Sequence, residues 1–363
     1  MTNIFSHSNR FIKMVNSTAH IEGSSVLITV VIPTLNEERF IGRALDSLIN
    51  QTISDKGIEI LVVDGYSTDK TREIVAEYAK KYSHIKLLDN PEKKTPYAFN
   101  IGIKNAHPQS QYITFLNGHG SYEETRFEKL LNGMETYHAK AAGGRSVAIN
   151  RDKTPLGRCI ALALASRFGT GGGFRVATDK PKIVDTASGC IYDLEFLKKV
   201  GLFNTNLISH QDFELNKRVR NLGGKIILIP DVCTTYYSRS DFVSFVKHNF
   251  RNGFWIIAPF RYTNVLTFSI RHLVPFIFVL SLLLLPALAF FSSYFMIVFY
   301  AILVLYSIFN IVFSIKTLFD EKNIKLFFHM FVVFATLHLT FGLGSLFGLL
   351  DLMLAVLLGR VVK

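Results

Sequence analysis

Cysteine is scarce in this chain: three residues in 363, Cys159, Cys190 and Cys233. They are scattered, so they offer neither a disulfide framework nor a paired metal-ligand spacing, and they fit a reducing compartment. No glycine-rich phosphate cradle follows the early strands, and neither internal repeats nor low-complexity tracts occur. The first 25 residues are polar with short apolar clusters, which reads as a flexible lead-in and not as a signal peptide. The net charge of +12 is not accompanied by a recognition-helix, RNA-platform or zinc signature, so nucleic acid is not the expected partner. A basic stretch beside a membrane more simply attracts anionic headgroups or a lipid phosphate.

Charge is the last scarcity, and it is local. Charged residues run through the first 270 positions and nearly vanish afterwards. From Leu273 the chain reads LVPFIFVLSLLLLPALAFF, then YFMIVFYAILVLYSIFNIVFSI, then LFFHMFVVFATLHLTFGLGSLFGLLDLMLAVLL. A helix needs about 20 apolar residues to cross roughly 30 Å of hydrocarbon. The first two runs meet that length without a charge. The third exceeds it and is interrupted by Gly342, Gly344 and Gly348, which predicts one tilted or kinked helix, with a re-entrant turn as the alternative. The chain therefore reads as an integral, multi-pass membrane protein. Lys316, Lys322 and Lys325 lie between the second and third runs, and Arg261, Arg271 and His272 precede the first. Both clusters fit the cytoplasmic side, which puts the N-terminal domain there too; three spans would then leave Arg360 and Lys363 outside.

Ahead of this tail, ITVVIP and IEILVVDG are buried-strand patterns, each breaking into a polar loop that opens a helix. Such strand ends are where a parallel α/β sheet presents its ligand site. The loops carry Asn36, Glu37, Asp64 and Asp69, an acidic set suited to sugar and base hydroxyls or to a metal that holds phosphates. IKLLDNP continues as a short strand, TPYAFNIGIKNA as a helix with Pro96 in its first turn, and YITFLNG as a buried strand. RFEKLLNGMETYHA is an amphipathic helix and AAGGRSVAI returns to the sheet. The span from Asn150 to Asp185 is glycine-rich around SRFGTGGGFRV and predicts a loop or lid, or a plain long connection. DTASGCIYDLEFLKKVGLF is a strand and short helix, SHQDFELNKRVRNLGG a patterned helix, and KIILIPD a final strand. The alternation argues for a mostly parallel α/β sheet. DFVSFVKHNFRNGFWIIAPFRY is aromatic and basic, as expected of a segment in the membrane interface.

Taken in order, VVIPTLNEERFIGRALDSL, VVDGYSTDKT, FLNGHGSY and HQDFEL resemble the family 2 inverting glycosyltransferases of GT-A fold. The resemblance covers about Ile28 to Trp255. The membrane tail, with SRFGTGGGFRV, VDTASG and HLTFGLGSLFGLL, is similar to the succinoglycan-type exopolysaccharide membrane glycosyltransferases. It implies a Rossmann-like, mostly parallel catalytic domain over 26–238, after a lead-in over 1–25. An amphipathic interfacial segment over 239–270 and about three transmembrane helices over 271–363 would follow. It further implies a nucleotide-sugar donor with a bias to uridine and a polyprenyl-linked saccharide acceptor.

By this resemblance Pro33, Thr34, Asn36, Glu37, Asp64, Asn100 and Asn117 hold the nucleotide sugar. Asn36 has a plain alternative as a helix N-cap, and Ser67, Thr68 and Asp69 read best as turn and cap residues. Where the family places an acidic metal triplet, this chain has Asn117-Gly118-His119. A neutral carbonyl and an imidazole suit Mn²⁺ better than Mg²⁺, and a hard ion would bind more weakly here unless phosphates compensate. Asp212 aligns with the catalytic base, with an N-cap role as its alternative. Glu214 lies two residues on and should point elsewhere. Arg251 and Trp255 loosely resemble the family's Q/RxxRW element, and Lys247 and His248 join them as candidates for a lipid-phosphate contact. Competing readings are a polyprenyl- or dolichol-phosphate sugar synthase, a processive synthase and a degenerate nucleotide-sugar-binding scaffold. A channel or carrier is disfavoured, because the spans hold few ionisable residues, His329, His338 and Asp351.

Overall fold

The computed structural model describes residues 27–53, 57–150, 154–175, 178–238, 241–265 and 268–361; the expected lead-in over 1–25 and Lys363 lie outside the described residues. The two apolar runs form β1 (Ile28–Thr34) and β2 (Ile58–Asp64), buried on both faces as parallel strands are when helices cover the sheet. Each is followed by a helix, α1 (Ile41–Ile49) and α2 (Thr71–Lys81). Then come β3 (Ile85–Asp89), α3 (Thr95–Lys104), β4 (Tyr112–Phe115), α4 (Arg126–Thr136) and β5 (Ala141–Asn150). The next segment gives α5 (Pro155–Ala165), the short α6 (Arg167–Thr170) and β6 (Lys182–Ile183). β7 (Ser188–Asp193), α7 (Leu194–Val200), α8 (Gln211–Asn221) and β8 (Ile226–Ser238) complete the domain.

The sheet runs β3-β2-β1-β4-β7-β5-β8-β6. β3, β2, β1 and β4 are parallel, β7 is antiparallel to both its neighbours, and β5 pairs parallel with β8. Chain order reverses at the β1–β4 step, which opens a crevice at the carboxyl ends of those strands. Register puts Thr34 beside Asp64, and Val31 beside Phe115, so the loops after β1, β2 and β4 emerge together. Alternate residues of β1 serve two cores. Val30 and Ile32 pack with Leu45, Val75, Phe127 and Leu130 on one face, and Val31 packs with Phe99, Leu197 and Leu215 on the other.

The expectation of an irregular stretch over 150–185 is corrected in part. Residues 155–165 are helical, started by Pro155 in the first turn and by the Thr154 hydroxyl accepting from Gly157 N–H at 3.0 Å. The neighbouring glycines, Gly171 to Gly173, concealed an apolar face of Cys159, Ile160 and Ala163. That face joins a third core with Phe245, Leu318, Met330, Val333 and Phe334. This core ties the sheet domain to the C-terminal helices.

Those helices are α9 (Phe242–Ile257), α10 (Leu273–Leu288), α11 (Tyr294–Asp320) and α12 (Phe327–Leu357). Three segments, Ile270–Leu288, Tyr294–Asp320 and Ile324–Leu357, are long and apolar enough to cross a membrane. α12 is one continuous helix of 31 residues, not a re-entrant turn. At 1.5 Å per residue it runs about 46 Å, more than the roughly 30 Å of hydrocarbon. Gly342 faces α10, at Pro275 and Val279, whereas Gly344 and Gly348 face α9, which does more than lie in an interface. A Cβ on Gly344 would sit 2.0 Å from the Phe250 carbonyl oxygen, and one on Gly253 2.0 Å from that of Phe341. Small residues thus let two helix backbones touch, and Ser345 Oγ adds a bond to Gly253 O at 3.1 Å.

Candidate active site

The expected donor half lies where β1 and β2 end. Asp64 is fully buried and accepts from Ser67 N (2.9 Å), Ser67 Oγ (2.5 Å), Thr34 Oγ1 (3.1 Å) and Arg72 Nη1 (2.9 Å). Burial alone would raise its pKa; the bonds from Ser67, Arg72 and Thr34 outweigh burial and hold the carboxyl below its ordinary range. Asn36 is left-handed, with φ of 57°, and its Oδ1 accepts from Thr68 N at 2.8 Å while its own N–H reaches Ser67 Oγ at 2.8 Å. It is not a helix cap, since α1 starts only at Ile41; it laces the first loop to the second. Ser67, Thr68 and Asp69 do the same from the other side, Asp69 through Glu38 N–H and Thr71. The floor of the crevice is therefore fixed before any ligand arrives. Pro33 lies in β1 between these loops and the core.

Across the β1–β4 crevice, His119 Nδ1 lies 3.0 Å from Glu37 Oε1, with both side chains partly exposed. Asn117 is exposed, and its carbonyl is fixed by Tyr122 Oη at 2.8 Å. These residues can offer one carboxylate, one imidazole and one amide oxygen. Among the described residues no three His, Cys, Asp or Glu gather to form a metal cage. The donor set fits a cation whose remaining oxygens come from phosphates: with Nδ1 engaged by the Glu37 carboxylate, Nε2 of His119 would be the nitrogen left to coordinate. Asn100 sits apart from this set. It is buried, and both ends of its amide bond the Phe203 backbone, at 2.9 and 2.8 Å, which tethers the loop after α7.

Asp212 occupies the first turn of α8, behind His210, which is left-handed at φ of 61° and ends the preceding loop. α8 is pinned to the loop before β7 by a buried chain: Tyr192 Oη to Asn216 Oδ1 at 2.9 Å, and Asn216 Nδ2 to Thr186 Oγ1 at 2.8 Å. Glu214 is buried and held by Arg218 at 2.8 Å, so the carboxylate two residues on is not a competing base. Asp212 opens into a cavity of about 290 Å³ lined by Arg175, His210, Phe213, His248, Arg271 and His272. Asp212 is itself exposed, facing this cavity; the bulk of protein around the cavity desolvates it and raises its pKa, against the N–H groups of Phe213 and Asp212 itself and the charge of Arg175. Burial, with the neighbouring imidazoles and Arg251, pushes His210 down to about 3, so that ring is neutral.

Of the four acceptor-side candidates, only His248 lines this cavity, with Asn252 and Ile256 one and two turns on. Lys247, Arg251 and Trp255 fall on other faces of α9 and line neither this cavity nor its neighbour. The reason is helical phase: residues 248, 252 and 256 share a stripe that 247, 251 and 255 miss. Sequence reading passed over Arg175, Arg271 and Asn249. Arg175 was legible only as part of the glycine-rich segment, and Arg271 only as a topology marker. Asp185 links the halves, accepting from Ser269 Oγ and from Arg271 Nη2 (2.7 Å). Burial raises the Asp185 pKa, but Ser269 and Arg271 outweigh it and hold it low.

Residues 29–201 match the family model for glycosyl transferase family 2. A Methanococcus voltae protein, a dolichyl N-acetyl-alpha-D-glucosaminyl phosphate 3-beta-D-2,3-diacetamido-2,3-dideoxy-beta-D-glucuronosyltransferase, is 32% identical over 280 residues, 71% of this chain and 85% of the relative. The chain belongs to glycosyl transferase family 2. It is thus a glycosyltransferase. The succinoglycan biosynthesis protein ExoA of Rhizobium meliloti (strain 1021) is 26% identical over 64% of this chain and 69% of its own length. Among solved structures, the mannosyltransferase PcManGT from Pyrobaculum calidifontis superposes with a TM-score of 0.57 at 16% identity, covering 96% of both chains. At that identity the likeness carries the fold, a GT-A-like sheet followed by long apolar helices, and the expected fold class stands.

Proposed function

We propose that the protein is a membrane-bound inverting glycosyltransferase that moves a sugar from a nucleotide-diphosphate donor to a lipid-linked saccharide. The observation that carries this reading is the position of Asp212, in a cavity walled on one side by α8 and on the other by residues of α9, the α10 entry and α12. A soluble acceptor would need no membrane helix beside the base. A lipid-borne one does. Family membership supports an activated-sugar donor, and the buried Asp64, bonded to Thr34, Ser67 and Arg72, would hold in place the loops that take the ribose and base.

Asp212 would take the proton from the acceptor hydroxyl as that oxygen attacks the anomeric carbon from the face opposite the leaving diphosphate. Its raised pKa brings it nearer the working pH and makes it a better base than a solvated aspartate. A divalent cation, Mn²⁺ or Mg²⁺, would be held by His119 and Asn117 with the donor's phosphates and would stabilise the charge of the leaving diphosphate. PcManGT was solved with GDP-Man and Mn²⁺, which supports that part of the reading. The M. voltae relative is named for a dolichyl phosphate-linked sugar, which supports a carrier-linked acceptor, and ExoA for succinoglycan biosynthesis, which supports glycan assembly. The basic residues at the membrane edge favour a cytoplasmic catalytic domain.

The competing reading, a polyprenyl-phosphate sugar synthase, would use the lipid phosphate itself as nucleophile. That oxygen is already anionic and needs no base, so a carboxylate of raised pKa facing the acceptor cavity favours a hydroxyl acceptor. A donor screen on membranes, with a panel of nucleotide sugars and a short-chain polyprenyl-linked saccharide, tests the proposal by product mass. The expected product is a glycosidic bond stable to mild acid. An acid-labile polyprenyl-phosphate sugar as the product would overturn it.

A further inference from the structure

Beside the Asp212 cavity lies a second one of about 590 Å³, bounded by α6, α9, α10, α11 and α12. Its inner wall is apolar and aromatic, from Phe278, Phe309, Phe313, Leu337 and Phe341. Arg167, Arg175, Arg271 and His248 stand at one end, and Arg175, His248, Asn252, Arg271, His272 and Phe341 line both cavities. The polar groups deeper inside satisfy one another: Tyr306 Oη is 3.0 Å from His338 Nδ1, and His338 Nε2 is 2.9 Å from Phe168 O. Asn249 is the exception. It is 4% exposed and lines this cavity, yet its Nδ2 has no hydrogen-bond partner. A buried amide donor left unmet is costly, and a ligand oxygen would meet it.

Interiors normally close around such a volume. Apolar walls on three membrane helices, cations at one end and an unmet donor among them describe an amphiphile with an anionic head. The acidic groups facing the cations are Asp185, bonded to Arg271 Nη2, and Asp212, the base itself. A guanidinium has five N–H donors, so the bond to Asp185 orients Arg271 without exhausting it.

We propose that this cavity is the subsite for the acceptor's lipid carrier and takes a phosphate ester of a long isoprenoid-type chain. The chain lies along Phe278, Phe309 and Phe313, and the phosphoryl oxygens sit between Arg175, Arg271 and the Asn249 amide. The saccharide then extends through the shared wall to Asp212. This rests on the acceptor reading above and names what in the acceptor binds outside the reacting sugar. It also makes the charge of the head a requirement, because three cations and an amide donor have no counterpart on an alcohol.

The test uses full-length protein in phosphatidylcholine nanodiscs, with a fifteen-carbon isoprenyl monophosphate and the corresponding alcohol as probes. The monophosphate should bind at least tenfold more tightly than the alcohol, and phosphatidylglycerol added to the nanodisc should not displace it. Asn249→Leu keeps the buried volume and removes the donor; it should weaken monophosphate binding about tenfold and leave nucleotide binding unchanged. Val274→Trp, on the cavity wall, should weaken monophosphate and alcohol alike. Equal binding of the two probes would overturn the proposal, as would wild-type affinity in both variants. Displacement by phosphatidylglycerol would overturn it too, because the cavity would then hold bulk lipid. If the monophosphate binds as expected but no nucleotide sugar reaches any lipid acceptor, the function proposed above falls and the subsite stands. If transfer proceeds with wild-type KM in both variants, the reverse holds.

Discussion

Asp212→Asn separates catalysis from structure, because the two readings of this residue move stability in opposite directions. As a base, Asp212 contributes about 10²–10⁴ to the rate, or roughly 3–5 kcal/mol at the transition state. Asn cannot accept the proton and should lose that factor in kcat. As a helix-start residue, Asp212 gains from the α8 dipole and the Phe213 N–H, worth about 0.3–1 kcal/mol. Desolvation by the surrounding cavity walls opposes this gain and outweighs it, since the pKa is raised overall. The sign follows from linkage. A carboxyl whose folded pKa lies above its unfolded value binds more protons when native, so stability falls as pH rises between the two values and stays lower above them. At neutral pH the neutral Asn escapes that penalty, and the variant should unfold at the same temperature as the wild type or higher. The assay is single-turnover transfer by full-length enzyme in detergent, with the donor chosen by the screen, beside a thermal melt and nucleotide binding. The expected pattern is a rate lower by two to four decades, an unchanged or higher Tm and unchanged nucleotide affinity. Turnover near wild type, or a loss matched by a falling Tm, would refute the assignment of Asp212 as base.

Asp64→Asn should weaken nucleotide binding and cost about 1.5–3 kcal/mol, since a buried charge-assisted set loses its anion; titration calorimetry and a melt read both. Because the folded Asp64 pKa lies below 3.8, its contribution is present above that pH and is lost as pH falls through the folded value. Wild-type acid stability in the variant would contradict this. Asn117→Asp should raise the affinity for Mn²⁺ in the presence of nucleotide, and His119→Ala should lower it. If chelator leaves the wild type fully active and neither substitution changes Mn²⁺ binding, the loop holds no cation. Gly344→Ala would drive a methyl into the Phe250 carbonyl, and overpacking of this kind costs about 1–3 kcal/mol. A lower Tm in detergent is expected, and an unchanged one would mean that α9 and α12 can separate without loss.

The donor half was legible because its signals are local. Two apolar runs that end in polar loops define β1 and β2, and their parallel register alone brings Thr34 to Asp64. The turn and cap roles of Ser67, Thr68 and Asp69 were equally readable, since short polar side chains in turns bond nearby backbone; their bonds to Asn36 and Glu38 in the first loop were not. Asn100 was not readable. Its partner, Phe203, is 103 positions away, and nothing in TPYAFNIGIK announces that both ends of one amide will be used there. α5 was missed because three nearby glycines masked a helix of small apolar residues. α9 was read as interfacial from its aromatic and basic content, but its packing is decided by Gly344 and Gly348 on α12, which appeared only as interruptions in a span. Asp212 stood out by its motif, whereas the residues around it come from α9, the loop before α10 and α12. Single-segment patterns cannot show such convergence.

The Asp185–Arg271 pair would couple the proposed acceptor side to the membrane helices. Asp185 lies in the loop that Thr186 anchors to α8 through Asn216, so its position follows that of Asp212. Arg271 sits where the chain enters α10 and lines both cavities. The 2.7 Å bond between them therefore fixes the distance from the base to the lipid-facing cavity. Arg271→Gln would remove that strut along with one cation of the phosphate subsite, whereas Asp185→Asn would remove the strut and keep the cation. If position matters more than charge, both substitutions should lower kcat, and only Arg271→Gln should also weaken isoprenyl phosphate binding. Equal loss of lipid binding in both would show that Asp185 acts by shaping the subsite and not by spacing it from Asp212.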